Sequence, residues 1–530
     1  MIDLLGKIEN TLDRGLGVFF PKAEARRRIQ RLALAEIRAE IRDKYERSGS
    51  YALYAAAKTT RLTGSWRPVN ANVNDIITGS WDTTTARIRQ LIRDFPYFKR
   101  ATNIMVDYSV GGGILFRSAI RDANNKLNRV LNQKIDDAFH FWADEADFCK
   151  QLHFYEMMAL AKRQDMETGN FLLVKTHSAD KGRFLPFALR MYEPDWLMTS
   201  LDSIDYRGNG GKIRIQRGIE YNYDTGETLA YHFQDPDAWN SKSGIRIPKS
   251  DIIHGFETLR PGQRMGISPY VAGVLLAGDL QSIIESELDA SKMASKWLAI
   301  VETDAMAASQ IGRGTKVENG TRIESLENAI IDYLRPGEKI TLSSNPRPGD
   351  NFAPFVKLIL TMLSVTTGAP YELLSGNYEG MNFSTSNTVR KDFAHELKPI
   401  CMRHIRQFCL PSSYGFYDAA VLNGKLDLPK YFTTPYAYLK MEWQPPGMES
   451  IVPLQETKAY IDQMSAGIRS PQEFVKARGR NLEDVLNEIA EAREMAEERD
   501  LDFNQKPGTA AANNPAALGA SDTGKGGKEE

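Results

Sequence analysis

Between Gly368 and Pro399 the sequence reads GAPYELLSGNYEGMNFSTSNTVRKDFAHELKP. It gathers Ser375, Asn377, Ser384, Thr385, Ser386, Asn387 and Thr388 just ahead of Arg390, Lys391, His395 and Glu396. Hydroxyls close to a histidine and a carboxylate are the parts of a nucleophile with its base, and His-Glu also opens the helical zinc-protease pattern. The spacing supports neither. The second zinc-ligating histidine would stand where the chain has Pro399, and no Gly-x-Ser-x-Gly elbow or Ser-x-x-Lys surrounds the serines. Cys401 and Cys409 lie eight apart with His404 between them, unlike a Cys-x-x-Cys metal pair, and read as small buried hydrophobes. The remaining histidines, 140, 153, 177, 232 and 254, are scattered. No catalytic residue, metal site or cofactor is expected. The hydroxyl and amide cluster reads instead as loop and helix-start chemistry, because Ser, Thr and Asn side chains satisfy the free N–H groups of a following helix.

A chain of 530 residues, 42% of them apolar, can bury a large core divided among several subdomains. Lys plus Arg, 67, nearly cancel Asp plus Glu, 68, so no global field draws the protein to nucleic acid or to an anionic membrane. Three cysteines argue for a reducing compartment and against a disulfide framework. No signal-peptide pattern opens the sequence and no long uncharged apolar run crosses a membrane.

The elements that must position the cluster follow from periodicity. A charged helix is expected over 22–54, a second helical region over 82–109 broken near Pro96, and a helical stretch over 136–162. Gly111, Gly112 and Gly113 mark a helix stop, since no Gly-Lys-Ser/Thr follows them. Strands come next: NFLLVKTH, FALRMYEPDWL, and the pair RIQRGIEYN and TLAYHFQ, a hairpin turning at Asp224, Thr225 and Gly226. IPKSDIIHGFE reads as strand-like, and Gly262 and Gly266 permit tight turns after it. Ser268-Pro269 starts a helix running to about Ala299, roughly 45 Å at 1.5 Å per residue. Its stripe of Leu276, Leu280, Ile284 and Leu288 is interleaved with small residues that admit neighbouring helices. A Pro/Gly-punctuated insertion leads to a second apolar helix, FAPFVKLILTMLSV. After the opening stretch comes a helix over 388–410, kinked at Pro399. SPQE at Ser470 and a cap at Asn481 start the last helices, and beyond Phe503 no core-forming pattern remains, so disorder is expected there.

From about Trp66 to Leu501 the chain resembles the lambda-like family of phage portal proteins. The resemblance is carried by RGIEYNYDTGETLAYHF, IPKSDIIHGFETLRPGQRMGISP, GAPYELLSGNYEGMNFSTSNT and WQPPGMESIVPLQETKAYIDQMSAGIRSPQEFVKARGRNLEDVLNEIA. It departs from the family at Met265, where an arginine usually stands, and at Asn387, with no arginine before Arg390.

The resemblance implies an α+β portal fold and divides the chain. An N-terminal arm and α/β wing would occupy 1–265, the long stem helices 266–299 and 352–367, and a small clip 300–351. A channel loop would occupy 368–388, a tunnel helix and wing return 389–449, a helical crown 450–503 and a tail 504–530. It also implies a ring of about twelve copies, a closed cyclic assembly, at one capsid vertex. Through that ring double-stranded DNA would be packaged and later ejected. The implied partners are the major capsid or scaffold protein, the terminase large subunit and a head–tail adaptor, with assembly in the bacterial host cytoplasm and a final place in the virion. The DNA-channel residues would be Ser375, Asn377, Tyr378, Asn382, Phe383, Ser384, Thr385 and Lys391. DNA carries a negative charge every ~1.7 Å, so a strongly basic wall would grip it, and a polar, uncharged loop suits passage without sequence reading. Two other classes remain open: a packaging enzyme, which needs a Walker-type loop or an acidic metal cluster, and another head–tail or tail ring protein, generally shorter.

Overall fold

The computed structural model describes residues 70–122, 124–199, 201, 203–206, 212–234, 244–296, 300–303, 317–318, 321–322, 338–341, 349–447 and 453–499. The chain divides into two units, Met1–Ala71 and Asn72–Glu530, and the described helices and strands belong to the second. The charged helix expected over 22–54, most of the insertion and the tail lie outside the described residues.

Helix α1, Val73–Asp94, is capped by Asn72, whose side chain accepts from the Asn74 backbone at 2.9 Å. It buries Ile77, Trp81, Ile88 and Ile92 at helical spacing. Pro96 has no backbone donor to continue that helix and opens α2, Pro96–Ser109, instead. Gly111 and Gly113, both with left-handed φ, end α2 as a stop and lead to β1, Leu115–Ser118. The stretch read as one helix is two, α3, Arg129–Ala143, and α4, Phe154–Thr168, the latter opened by a His153/Glu156 capping box.

Two antiparallel sheets come next. Strands β2, Asn170–His177, and β3, Phe187–Tyr192, open the first, and FALRMYEPDWL leaves the sheet at Pro194–Trp196, a 3-10 turn. Then β4, Ser203–Tyr206, β5, Lys212–Gln216, β6, Ile219–Asn222, β7, Thr228–Gln234, and β8, Gly244–Pro248, form a five-stranded meander in chain order. The turn at Asp224 to Gly226 joins β6 to β7 as expected. RIQRGIEYN, however, is two strands, because Arg217 and Gly218 both take positive φ in a tight turn between β5 and β6. IPKSDIIHGFE is likewise broken at Lys249–Asp251: β8 closes the meander, while β9, Ile252–Phe256, pairs with β2 in the sheet ordered β3-β2-β9.

The helix expected at Ser268 begins as a 3-10 turn, Pro269–Gly273, and becomes α5, Val274–Lys296. Short strands β10, Ile300–Thr303, β11, Val317–Glu318, β12, Thr321–Arg322, and β13, Glu338–Thr341, pair as β10-β13 and β11-β12. Helix α6, Phe352–Thr367, returns alongside α5. Next come α7, Tyr371–Ser375, and α8, Phe383–His404, a π turn Ile405–Cys409, and α9, Leu410–Leu422. Strand β14, Met441–Gln444, pairs with β1, and helices α10, Pro453–Ser465, α11, Pro471–Ala477, and α12, Leu482–Glu497, end the described chain.

Three apolar clusters hold these elements. The first joins α3, α4, β2, β3, β9, the π turn and α9 around Phe139, Trp142, Phe154 and Phe416. The second joins α1, α2, α5, α6, α7 and α8 around Phe98, Tyr270, Leu280, Leu363 and Phe393. The third packs Trp81 against Leu172, Ile219 and Met265, so the position where the family usually has arginine is core here. On α4 the first cluster stops at Ala161 and the second includes Met166; on the α8 rod the second stops at Cys401 and the first resumes at Ile405. Between them sits a charged layer in which Lys162 Nζ meets Asp165 Oδ2 at 2.7 Å and Arg403 bridges Asp165 at 3.4 Å and Glu257 at 2.9 Å. Burial alone would raise the Asp165 carboxyl, but Lys162 and Arg403 outweigh it and hold the group below its ordinary value.

Candidate nucleic-acid interface

The polar stretch is shorter than a loop over 368–388. Gly368 ends α6 in the left-handed conformation, Pro370 precedes α7, and Gly376, again left-handed, ends α7. Only 368–370 and 376–382 lie outside helices. Asn377 donates its backbone N–H to Ser375 Oγ at 3.1 Å and accepts from the Glu379 backbone at 2.8 Å, while Met381 closes a turn on the Tyr378 carbonyl at 3.2 Å. Asn382 then caps α8, with its Oδ1 accepting from the Thr385 backbone and the Thr385 hydroxyl, both at 2.9 Å. The helix therefore starts at Phe383 and not at Thr388, which moves Phe383, Ser384 and Thr385 from the loop into its first turn.

Of the eight residues singled out, Asn377, Tyr378, Asn382, Phe383, Ser384, Thr385 and Lys391 are exposed and Ser375 is half-buried. Three basic side chains over 376–398, Arg390, Lys391 and Lys398, balance three acidic ones, Glu379, Asp392 and Glu396, so the exposed surface is polar without net charge. Beneath the turn lies a cavity of about 220 Å³ lined among others by Tyr108, Leu373, Tyr378, Met381, Val389 and Phe393. Lys391 is not part of that lining. Tyr108 packs edge-on against Phe393 with centroids 5.3 Å apart, and Arg100 donates to the Leu373 carbonyl at 3.2 Å. Both supports come from α2, some 270 residues earlier in the chain, so local sequence spacing carried no sign of them.

The groups that invited a catalytic reading are placed otherwise. Cys401 and Cys409 are buried, as expected of small hydrophobes, and burial raises both thiols. His404 is buried beside Lys162, and desolvation first, then that charge, lowers its pKa to about 3. Such an imidazole stays neutral and pairs with no nucleophile. Among the described residues, no group of three or more His, Cys, Asp or Glu is placed to hold a metal ion, and no helix is long and apolar enough to cross a membrane.

A family model described as phage portal protein, lambda family, matches residues 59–398, well over half of the chain. The chain belongs to the lambda family of phage portal proteins. It is 25% identical over 460 residues to the probable portal protein of Halomonas phage phiHAP-1, covering 83% of this chain and 85% of that one. It is 20% identical to the portal protein of Escherichia phage N15 over 494 residues and to portal protein B of Escherichia phage lambda over 493, covering 84% of this portal chain and 90% of each relative in both cases. Among solved structures it is similar to a chain in the neck of an empty GTA particle computed with C6 symmetry, 14% identical with a TM-score of 0.46, covering 79% and 97%. A chain in the virion of a native gene transfer agent particle is 13% identical with a TM-score of 0.45 at the same coverage. The fold is α+β, and the role is that of a phage portal protein, a structural family.

Proposed function

We propose that this portal chain assembles into a closed ring of about twelve copies whose axial channel passes double-stranded DNA during packaging and ejection. The observation that carries the ring is on α6. Phe355, Leu358, Met362 and Val365 are 45%, 58%, 50% and 82% exposed, spaced 3, 4 and 3 residues apart, while Ile359, Leu360 and Leu363 of the same helix are buried. An exposed apolar seam at that spacing fits a neighbouring helix. Facing it in a ring, α5 offers exposed Leu275 and Leu288 and open space around Gly278. Sedimentation or native mass should give a discrete ring, and Leu358→Glu with Val365→Glu should give monomers of unchanged circular dichroism. Only monomers and dimers from the unaltered chain at every salt concentration would overturn the reading.

In that ring α5 and α6 form the stem, the segment between them the clip, the β2 to β9 block the wing and α10 to α12 the crown. The clip docks the terminase large subunit and later a head–tail adaptor, the wing meets the capsid or scaffold protein, and the ring resides in the virion after assembly in the host cytoplasm. No cofactor and no catalytic step is assigned. The exposed turn 376–382 and the first turn of α8 face the channel and touch DNA without reading its sequence, through short uncharged groups. Asn377→Lys with Ser384→Lys leaves the Asn382 cap intact and should slow packaging, more at low salt than at high, as phosphate contacts are screened. The cap bonds and the cavity favour a second reading, a connector between α7 and α8 away from the channel. Normal packaging at low salt by the doubly substituted ring would select it.

A further inference from the structure

Two arginines at the five-stranded meander have no acid to pair with. Arg214 of β5 stands opposite Tyr221 of β6, and the Arg264 guanidinium lies over the same ring, 3.4 Å from its centroid, so that Tyr221 is only 2% exposed. Both arginines are half-buried, and in each the Nε is out of water with no hydrogen-bond partner. Among the described residues the Arg214 side chain makes no hydrogen bond or ion pair, and that of Arg264 reaches only the Gly262 carbonyl, at 3.5 Å from Nη1.

A third arginine completes the group. Arg217, in the turn after β5, is 5% exposed; its Nη atoms bond Asp82 and the Thr78 carbonyl of α1, but its Nε is unbonded. Arg217 and Arg264 line, with Gln216, Asn74 and Thr78 among others, a cavity of about 10 Å³, room for one oxygen-sized group. The acids of the facing helix are already engaged, Asp82 with Arg217 at 2.6 Å and Asp75 with the Gln216 amide at 3.2 Å. Burial lowers the Arg264 pKa, and the charge of Arg214 lowers it as well. Two like charges held half out of water without a counter-ion are costly, and an anion between them removes the cost.

We propose that Arg214, Arg264 and Arg217 form a binding site for a tetrahedral oxyanion, a phosphate group. A carboxylate offers two oxygens in one plane, and the fork of a single arginine satisfies it. Here the donors come from a strand, a turn and the segment before Ser268, and three separate directions of approach suit the oxygens of a phosphate. One oxygen enters the cavity lined by Arg217 and Arg264, and Arg214 reaches another from β5. The phosphate is that of a DNA backbone or a free ion, and the chemistry at the arginines is the same for both. The site lies within one chain and does not rest on the ring reading.

The full chain is titrated with inorganic phosphate in a calorimeter, with chloride holding the ionic strength constant. Expected is saturable binding, weakened about tenfold or more by Arg264→Gln and by Arg214→Gln, and unchanged by Lys440→Gln, which alters an exposed lysine elsewhere. In chloride alone Arg214→Gln should melt no lower than the unaltered chain, since it removes a like charge that has no partner; in phosphate it should melt lower. Arg264→Lys keeps the charge and the stem over Tyr221 but loses the fork, and should bind phosphate more weakly even if the glutamine variant does not fold. A short duplex DNA titrated at the same ionic strength separates the two sources. Affinity lowered by the same two substitutions assigns the backbone phosphate; affinity untouched by them, with phosphate binding intact, assigns the free ion. Glutarate bound as tightly as phosphate would overturn the phosphate class in favour of an acidic side chain from a partner protein. A response that never saturates, or that is equal in all variants, would overturn the site and leave the arginines merely hydrated.

Discussion

His404 stacks on Phe408, centroids 5.2 Å apart and planes 9° apart, with its Nε2 unbonded. Its depressed pKa of about 3 fixes the sign of a pH effect. The unfolded chain takes a proton near pH 6.5 and the folded one does not, so stability is full above that pH and drains away as pH falls toward 3. His254 adds to the same trend, since burial, then Lys249, lowers it to about 3 while Tyr231 Oη and Asn170 Oδ1 bond its two ring nitrogens. His404→Phe keeps the stacking and removes one titration. The slope of stability against pH between 6 and 4 should flatten by roughly 1.4 kcal/mol per pH unit, read from urea midpoints. An unchanged slope would mean the imidazole is wet. Gly266 makes a different demand: a Cβ there would stand 1.9 Å from the Gly169 carbonyl oxygen. Gly266→Ala should abolish soluble expression, whereas Gly262→Ala, with open space but a φ of +77°, should cost only about 1 kcal/mol.

The elements carry the seam between two apolar clusters. Lys162 is only 1% exposed, so Lys162→Met strands a buried carboxylate with Arg403 alone and should cost about 3 kcal/mol; Lys162→Met with Asp165→Leu should regain most of it. Chemical denaturation of the two variants decides this. Asn382→Ala should fray the start of α8 at a cost of about 1 kcal/mol, seen as faster amide exchange over 383–386. Much at this scale was legible. Pro96 and the Asp224 to Gly226 turn announce themselves, because proline lacks a donor and glycine takes positive φ freely. The break at Arg217 was not legible, since an arginine at φ +50° is held there by Asp82 and by the Trp81 ring 4.9 Å away, partners from a distant helix. The same limit applied to the candidate site. Its polar composition was plain, but Asn382 as the cap, and so the start of α8 at Phe383, depended on a hydrogen bond that a run of Asn, Ser and Thr could place at several positions. The π turn at 405–409 has no signature in side-chain type.

The whole molecule shows how far a single chain is from satisfying its own surface. Leu275 and Leu454 are 72% and 85% exposed, and a monomer trapped by substitutions in the α6 seam should bind a hydrophobic dye and precipitate at concentrations where rings stay clear. Equal dye binding by monomer and ring would show that assembly leaves these faces open. The charged layer between the two large apolar clusters has a calorimetric consequence. Methylene contacts that would make one cluster's melting drag the other along are replaced there by Lys162, Asp165 and Arg403. Heating a monomer should therefore spread heat absorption over more than one peak, with a calorimetric enthalpy larger than the van't Hoff value. The lower peak should move when the layer is altered and the upper one should stay.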